Sequence, residues 1–133
     1  MFENKNSINN NKTSVDFDKY PLLNDQNIEK YQALTEQKPE VLTEIINSFF
    51  KESSYLISEM EDNINNDHLE KFQKNVHAIK GLFATIGATK LFEISNYMDK
   101  NNKQENFEIA RRFLPILKSQ YYELEEVLKN KFL

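Results

Sequence analysis

The chain of 133 residues has no cysteine, no tryptophan and only two glycines. The lack of cysteine excludes disulfides, thiol catalysis and zinc fingers, and it is compatible with a reducing compartment. No apolar run approaches the roughly 18 residues that a membrane span needs. The start of the chain, Met1 to Asn11, is polar and does not resemble a signal peptide. We therefore expect a cytoplasmic protein without a membrane segment.

The chain also lacks a large excess of charge of either sign. The formal net charge is -4, and lysines alternate with acidic residues along the chain. Such a pattern provides no basic surface for phosphate backbones, so nucleic acid is not an expected partner. The sequence also lacks a glycine-rich phosphate loop and a kinase signature, so the chain should have no ATP site or kinase activity of its own.

The composition divides the chain into a tail and one domain. Residues 1–19 are rich in asparagine, lysine and serine and should form a disordered polar tail, because they bury too little apolar surface to offset their ordering entropy. Residues 20–133 suit a single domain. Near its start, Asn24 or Asp25 can cap a short lid helix whose apolar residues are Ile28, Tyr31 and Leu34.

Apolar residues at three- and four-residue steps predict four longer helices. The first begins at Pro39 and could run about six turns. Residues 65–67 supply a turn and an N-cap for the second, which carries an apolar stripe and ends or kinks at Gly87. The third closes at residues 101–103, and the fourth spans about 105–131. The stripe of the second helix consists of Leu69, Phe72, Val76, Ile79 and Phe83.

Pro115 lies inside the last predicted helix and should kink or split it near Phe113 and Leu114, because proline has no backbone donor. No segment alternates with a period of two, and the connections are short. These patterns predict an all-α fold, an antiparallel up-and-down four-helix bundle with a short N-terminal lid helix.

Both glycines follow one histidine, His77. A glycine inside a helix costs roughly 1 kcal/mol relative to alanine, so Gly81 suggests a need for access to the imidazole. On a helical wheel His77 lies about 120° from the centre of the apolar stripe, beside the core. Lys80, Gly81 and Ala84 share its flank, which leaves a bare surface that a second protein can approach. A neutral imidazole nitrogen can take a phosphoryl group, and Lys80 is expected to be a mobile cation that neutralises it, with a smaller contribution from Lys74.

The run His77-x-x-Lys80-Gly81, with Gly87 ten residues after the histidine, resembles the histidine phosphotransfer domain, the HPt module of phosphorelay signalling. The likeness covers roughly Tyr20 to Leu133. One departure is the pair Leu82-Phe83, where the family usually has small residues, so partner preference could be unusual. Further positions that match the family are Tyr20-Pro21-Leu22-Leu23, Phe49-Phe50, Ile79, Ile86, Ala88, Leu91 and Met98-Asp99.

The resemblance implies that His77 accepts a phosphoryl group from a receiver-domain aspartate and passes it to another receiver aspartate. It implies that Lys80 stabilises the phosphoryl group and that Gly81 keeps the docking face open. We expect Ala84, Lys74 and Gln73 to complete that face. The partners would be response-regulator receiver domains and a hybrid sensor kinase. The chain would be a monomer without a cofactor of its own, and the receiver would supply the Mg²⁺.

Other hypotheses stay open. The chain could be a docking bundle that binds receivers without accepting phosphate, or an enzyme that hydrolyses receiver phosphate with Gln73 orienting water. His68 is better explained as structural or neutral, and Gly87 could simply be a helix C-cap. A metal site is disfavoured because His68 and His77 lie roughly 180° apart on one helix, and Lys74 stands where a di-iron motif needs glutamate.

Overall fold

The computed structural model describes residues 15–101 and 107–133, and these residues form helices without any strand. This confirms the all-α prediction for the described part of the chain. No helix among those residues is both long and apolar enough to cross a membrane. The elements are a 3-10 helix at Phe17–Lys19 followed by α1 (Asp25–Leu34), α2 (Pro39–Asn65), α3 (Leu69–Ile86), α4 (Thr89–Asn101) and α5 (Glu108–Phe132).

The four longer helices enclose one hydrophobic core. Helix α2 packs against α3 and α5, and α4 packs against the same two helices. The predicted stripe of α3 faces this core, since its last four members are almost fully buried and Leu69 is half-buried. Because the stripe faces the core, His77 on the flank of the same helix points outwards. The buried members are Phe72, Val76, Ile79 and Phe83.

Helix α1 begins at the cap that the sequence offered. The Asn24 side chain accepts a hydrogen bond of 2.9 Å from the Gln26 backbone N–H, which satisfies one of the free donors at the helix start. Ile28 is buried, as an inward-facing residue of this helix should be. Leu34, which the sequence grouped with it, is 72% exposed. The apolar face of α1 therefore ends before its last residue.

Helix α1 is tied to the C-terminal end of α3 by hydrogen bonds. The Tyr31 hydroxyl donates to the Thr85 carbonyl at 2.8 Å. The Asn24 N–H donates to the Gly87 carbonyl at 2.7 Å. Carbonyls in the last turn of a helix have no partner within the helix, so α1 supplies partners that α3 lacks.

Gly87 ends α3 in a left-handed conformation with φ of 87°. The N–H groups of Gly87 and Ala88 both donate to the Phe83 carbonyl, at 3.0 and 2.9 Å. A side chain at position 87 would place its Cβ 2.8 Å from the Cβ of Asn27 on α1. Glycine is required here by both backbone conformation and space, which confirms the C-cap interpretation of this residue.

The N-terminus of α3 differs from the prediction by one residue. The N-cap is His68, which makes no side-chain cap hydrogen bond, whereas the sequence placed the cap within residues 65–67. Asp67 adopts a left-handed φ of 57°, so the chain turns there. The His68 N–H donates to the Asn63 carbonyl at 2.8 Å and closes the turn.

Pro115 does not split the last helix. Helix α5 runs without interruption from Glu108 to Phe132, so the predicted split near Phe113 and Leu114 is wrong, and the alternative of a kink stays a prediction. Pro115 is exposed, while Phe113, Leu114 and Leu117 on either side of it are buried in the core. Packing of these neighbours holds the helix together across the missing donor. The predicted start at 105 and the closing residues 102 and 103 of α4 lie outside the described residues.

The ordered domain begins before residue 20. The Phe17 ring is half-buried and lies edge-on to Tyr97 and Phe113, with centroids 6.1 and 6.0 Å away. An ion pair of 3.4 Å between Asp18 and Lys90 adds to this contact. The boundary predicted between residues 19 and 20 is therefore too late in the chain. The tail predicted for residues 1–14 lies outside the described residues and stays a prediction.

Candidate functional site

His77 projects from the outer flank of α3. Its side chain is 78% exposed, whereas its neighbours Val76 and Ile79 are almost fully buried. The helical wheel placed the imidazole beside the core, and the structure confirms that placement. The ring is open to a molecule that approaches α3 from outside.

Gly81, one turn after His77, has no packing role within the described chain. It is exposed, and a Cβ built on it meets no heavy atom within 4 Å. A helical glycine still costs about 1 kcal/mol relative to alanine. Ala84, on the next turn, is also exposed. The bare surface expected beside the imidazole is therefore present, and no contact among the described residues explains the glycine.

Lys80 is held by α4 and does not extend freely into solvent. Its Nζ donates to Oδ2 of Asp99 at 2.8 Å and to Oδ1 of Asn96 at 3.5 Å. Its side chain is 21% exposed. The expectation of a mobile cation is thus corrected. Lys80 lies on the side of α3 that faces α4, where Asn96 and Asp99, three residues apart, both reach it.

Asp99 lies between the lysine and the histidine. Its Oδ2 is 4.0 Å from Nδ1 of His77, which is beyond hydrogen-bond distance but close enough for electrostatic interaction. The sequence marked Asp99 only as a family position. Its contact with Lys80 depends on how α3 and α4 pack, which the spacing within each helix does not specify.

The remaining predicted site residues occupy different surroundings. Lys74 is exposed one turn before His77, and Gln73 is half-buried. His68 is exposed at the start of α3, and the structure does not bring it to His77. Within residues 15–101 and 107–133, no group of three or more histidine, cysteine, aspartate or glutamate side chains could hold a metal ion.

Two side chains with displaced pKa values lie on α5, away from this cluster. Burial raises the pKa of Tyr121, whose hydroxyl is 2.8 Å from the Ser53 hydroxyl on α2. The hydrogen bond to Glu61 raises the pKa of Lys118. Both contacts join α2 to α5, so they belong to the packing of the bundle.

Comparison with known proteins agrees with this geometry. Over 113 residues the chain is 23% identical to histidine-containing phosphotransfer protein 1 of Arabidopsis thaliana, an alignment that covers 84% of this chain and 73% of that protein. Residues 44–129 match the family model described as Hpt domain. The match spans α3 and α4 with His77, Lys80 and Asp99, and it takes in well over half of the chain. The chain therefore belongs to the Hpt domain family.

Proposed function

We propose that this chain accepts a phosphoryl group on His77 from the aspartyl phosphate of one receiver domain and transfers it to the aspartate of another. Membership of the Hpt family supports a role in phosphorelay signalling as a phosphotransfer intermediate and not as a kinase. The observation that carries the assignment to this residue is the pairing of an exposed imidazole with an unhindered glycine one turn away.

The transfer needs only groups that the two proteins bring. Nε2 of His77 attacks phosphorus, the N–P bond forms, and the bond from phosphorus to the aspartyl oxygen breaks. The electron pair of the broken bond stays on the aspartyl oxygen, which becomes part of the receiver carboxylate again. The same step in reverse passes the phosphoryl group to the second receiver. We assign the Mg²⁺ to the receiver, together with the aspartate.

Lys80 and Asp99 would act beside the imidazole. Asp99 holds the ammonium group of Lys80 against α4 in the unphosphorylated protein. When the phosphoryl oxygens arrive, the ammonium group can turn towards them, since charge-assisted hydrogen bonds to phosphate are strong.

The partners would be receiver domains, including one on a hybrid kinase. The arrangement of α2 to α5 would be antiparallel, with α1 as the lid, and the working form a monomer.

The test is transfer from a phosphorylated receiver to the intact chain. The wild-type chain should acquire an acid-labile phosphate, His77→Gln should acquire none, and His68→Gln should behave as wild type. His68 is the matched control because it is an exposed histidine at the N-cap of the same helix. Equal labelling of wild type and His77→Gln would refute the proposal. Receiver binding without label in any of the three proteins would favour a docking module instead.

A further inference from the structure

A groove lies between the first half of α2 and the second half of α3. It encloses about 300 Å³. Its apolar side chains come from both helices, and its polar side chains are exposed. None of the docking residues predicted from the sequence lines it. The apolar lining is Val41, Ile45, Phe49, Leu82 and Ile86, and the polar lining is Glu44, Ser48, Glu52 and Thr85.

The groove is close enough to His77 to be covered by the same partner. On an ideal helix Gly81 lies about 40° and Thr85 about 80° around the axis from His77, in the same direction, and Leu82 about 140°. Along the helix axis, Leu82 lies roughly 8 Å and Thr85 roughly 12 Å from His77. A standard interface covers about 800 Å² of each partner, a disc about 16 Å in radius. A protein centred on the bare surface at Gly81 therefore reaches both the imidazole and the groove.

The groove also explains the departure from the family at Leu82-Phe83. Phe83 is fully buried and packs on Phe49, with ring centroids 6.1 Å apart, so it belongs to the core. Leu82 is half-buried and forms one wall of the groove. The two residues thus have separate roles. A branched apolar side chain stands beside the docking face where the family usually has a small one.

The charge on the groove is negative. Glu44 and Glu52 are exposed on α2, two turns apart, with Ser48 between them. Neither carboxylate forms an ion pair with another residue in the described part of the chain. Complementary charge guides encounter and selects partners more than it adds affinity. A partner with an apolar side chain for the groove and a cation for each carboxylate would match this surface.

We infer that the α2/α3 groove selects receiver domains whose docking surface presents an apolar side chain flanked by lysine or arginine. This rests on the proposed function, because it takes the receiver as the partner. Leu82 and Phe49 receive the apolar side chain, and Glu44 and Glu52 pair with the flanking cations. The groove acts on partner choice, and His77 acts on the phosphoryl group.

The experiment measures kcat/KM for transfer from a receiver that labels the wild-type chain. The double variant Glu44→Lys/Glu52→Lys should lower it more than tenfold. The control variant Glu123→Lys/Glu126→Lys makes the same change of charge at two exposed positions on α5 and should stay within twofold of wild type. Leu82→Ser should lower transfer without any change of charge. Added salt should slow the wild type and speed the groove variant, because it screens an attraction in the first and a repulsion in the second.

Phosphoramidate, a small phosphodonor that needs no docking surface, separates this inference from the proposed function. It should label His77 equally in the wild type, the groove variant and the α5 control. An equal loss of receiver transfer in the groove and α5 variants, or no loss in either, would overturn the inference while leaving transfer to His77 intact. Failure of both phosphoramidate and receiver to label the wild type would instead overturn the proposed function. Reversing the flanking cations of the receiver should restore transfer to Glu44→Lys/Glu52→Lys.

Discussion

Gly81 lies within α3 and Gly87 caps the end of the same helix, but the two glycines have opposite surroundings. Gly87 has a left-handed φ of 87°, is buried, and leaves no room for a Cβ beside Asn27. Gly81 is helical, exposed, and has nothing within 4 Å of a built Cβ. Gly87 is needed by the fold, whereas no contact among the described residues requires a glycine at position 81. The proposal that a partner requires Gly81 therefore makes a prediction that differs from the one for Gly87.

Among the variants that keep His77, Gly81→Leu should have the largest effect on function. A branched side chain one turn from His77 would occupy the bare surface, so transfer from a receiver should fall about a hundredfold, the loss that small misplacements of reacting groups can cause. Leucine favours helix over glycine, so stability should not fall. Stopped-flow or quench-flow transfer and urea unfolding would measure the two quantities. Full transfer activity in this variant would contradict the role given to Gly81.

The substitution to alanine should change stability in opposite directions at the two positions. Gly87→Ala should destabilise the protein by about 1–2 kcal/mol, the cost of a left-handed alanine, and by more if Asn27 cannot move away. Gly81→Ala should stabilise it by about 0.4–1 kcal/mol, because the helical conformation suits alanine and the space is open. Urea unfolding of both variants measures the difference. A change of the same sign in both would remove the distinction between them.

Lys80→Ala should have a smaller effect on transfer than Gly81→Leu. A single cation that is partly exposed to solvent contributes about 1 kcal/mol, so the expected loss is roughly fivefold. Lys74→Ala is the control, since Lys74 is exposed and has no hydrogen bond to Asp99 within the described chain. Transfer rates for both variants, measured with one receiver, would test the ranking. A larger loss for Lys74→Ala would reverse it.

The sequence was sufficient where a single helix decides the outcome. The stripe of α3, the exposure of His77 and the open surface at Gly81 all follow from 3.6 residues per turn. Contacts between elements were not accessible in this way. The Lys80 to Asp99 pair depends on the packing of α3 on α4, and the groove at Leu82 depends on the packing of α3 on α2.

Local signals also failed where packing outweighed them. Pro115 suggested a split in α5, but the buried residues around it keep the helix continuous. Phe17 appeared to belong to a polar tail, yet its ring packs against Tyr97 and Phe113. In both cases the composition of a short segment predicted the local structure wrongly, because aromatic or aliphatic side chains in that segment pack against the core.

The most direct test of the account follows the phosphate itself in time. The wild-type chain is mixed with a phosphorylated receiver, the reaction is quenched at intervals, and label is divided among receiver, His77 and inorganic phosphate. We predict that label appears on His77 at the rate at which it leaves the receiver. Label that passes from the receiver to inorganic phosphate, with none on His77 at any time, would contradict it.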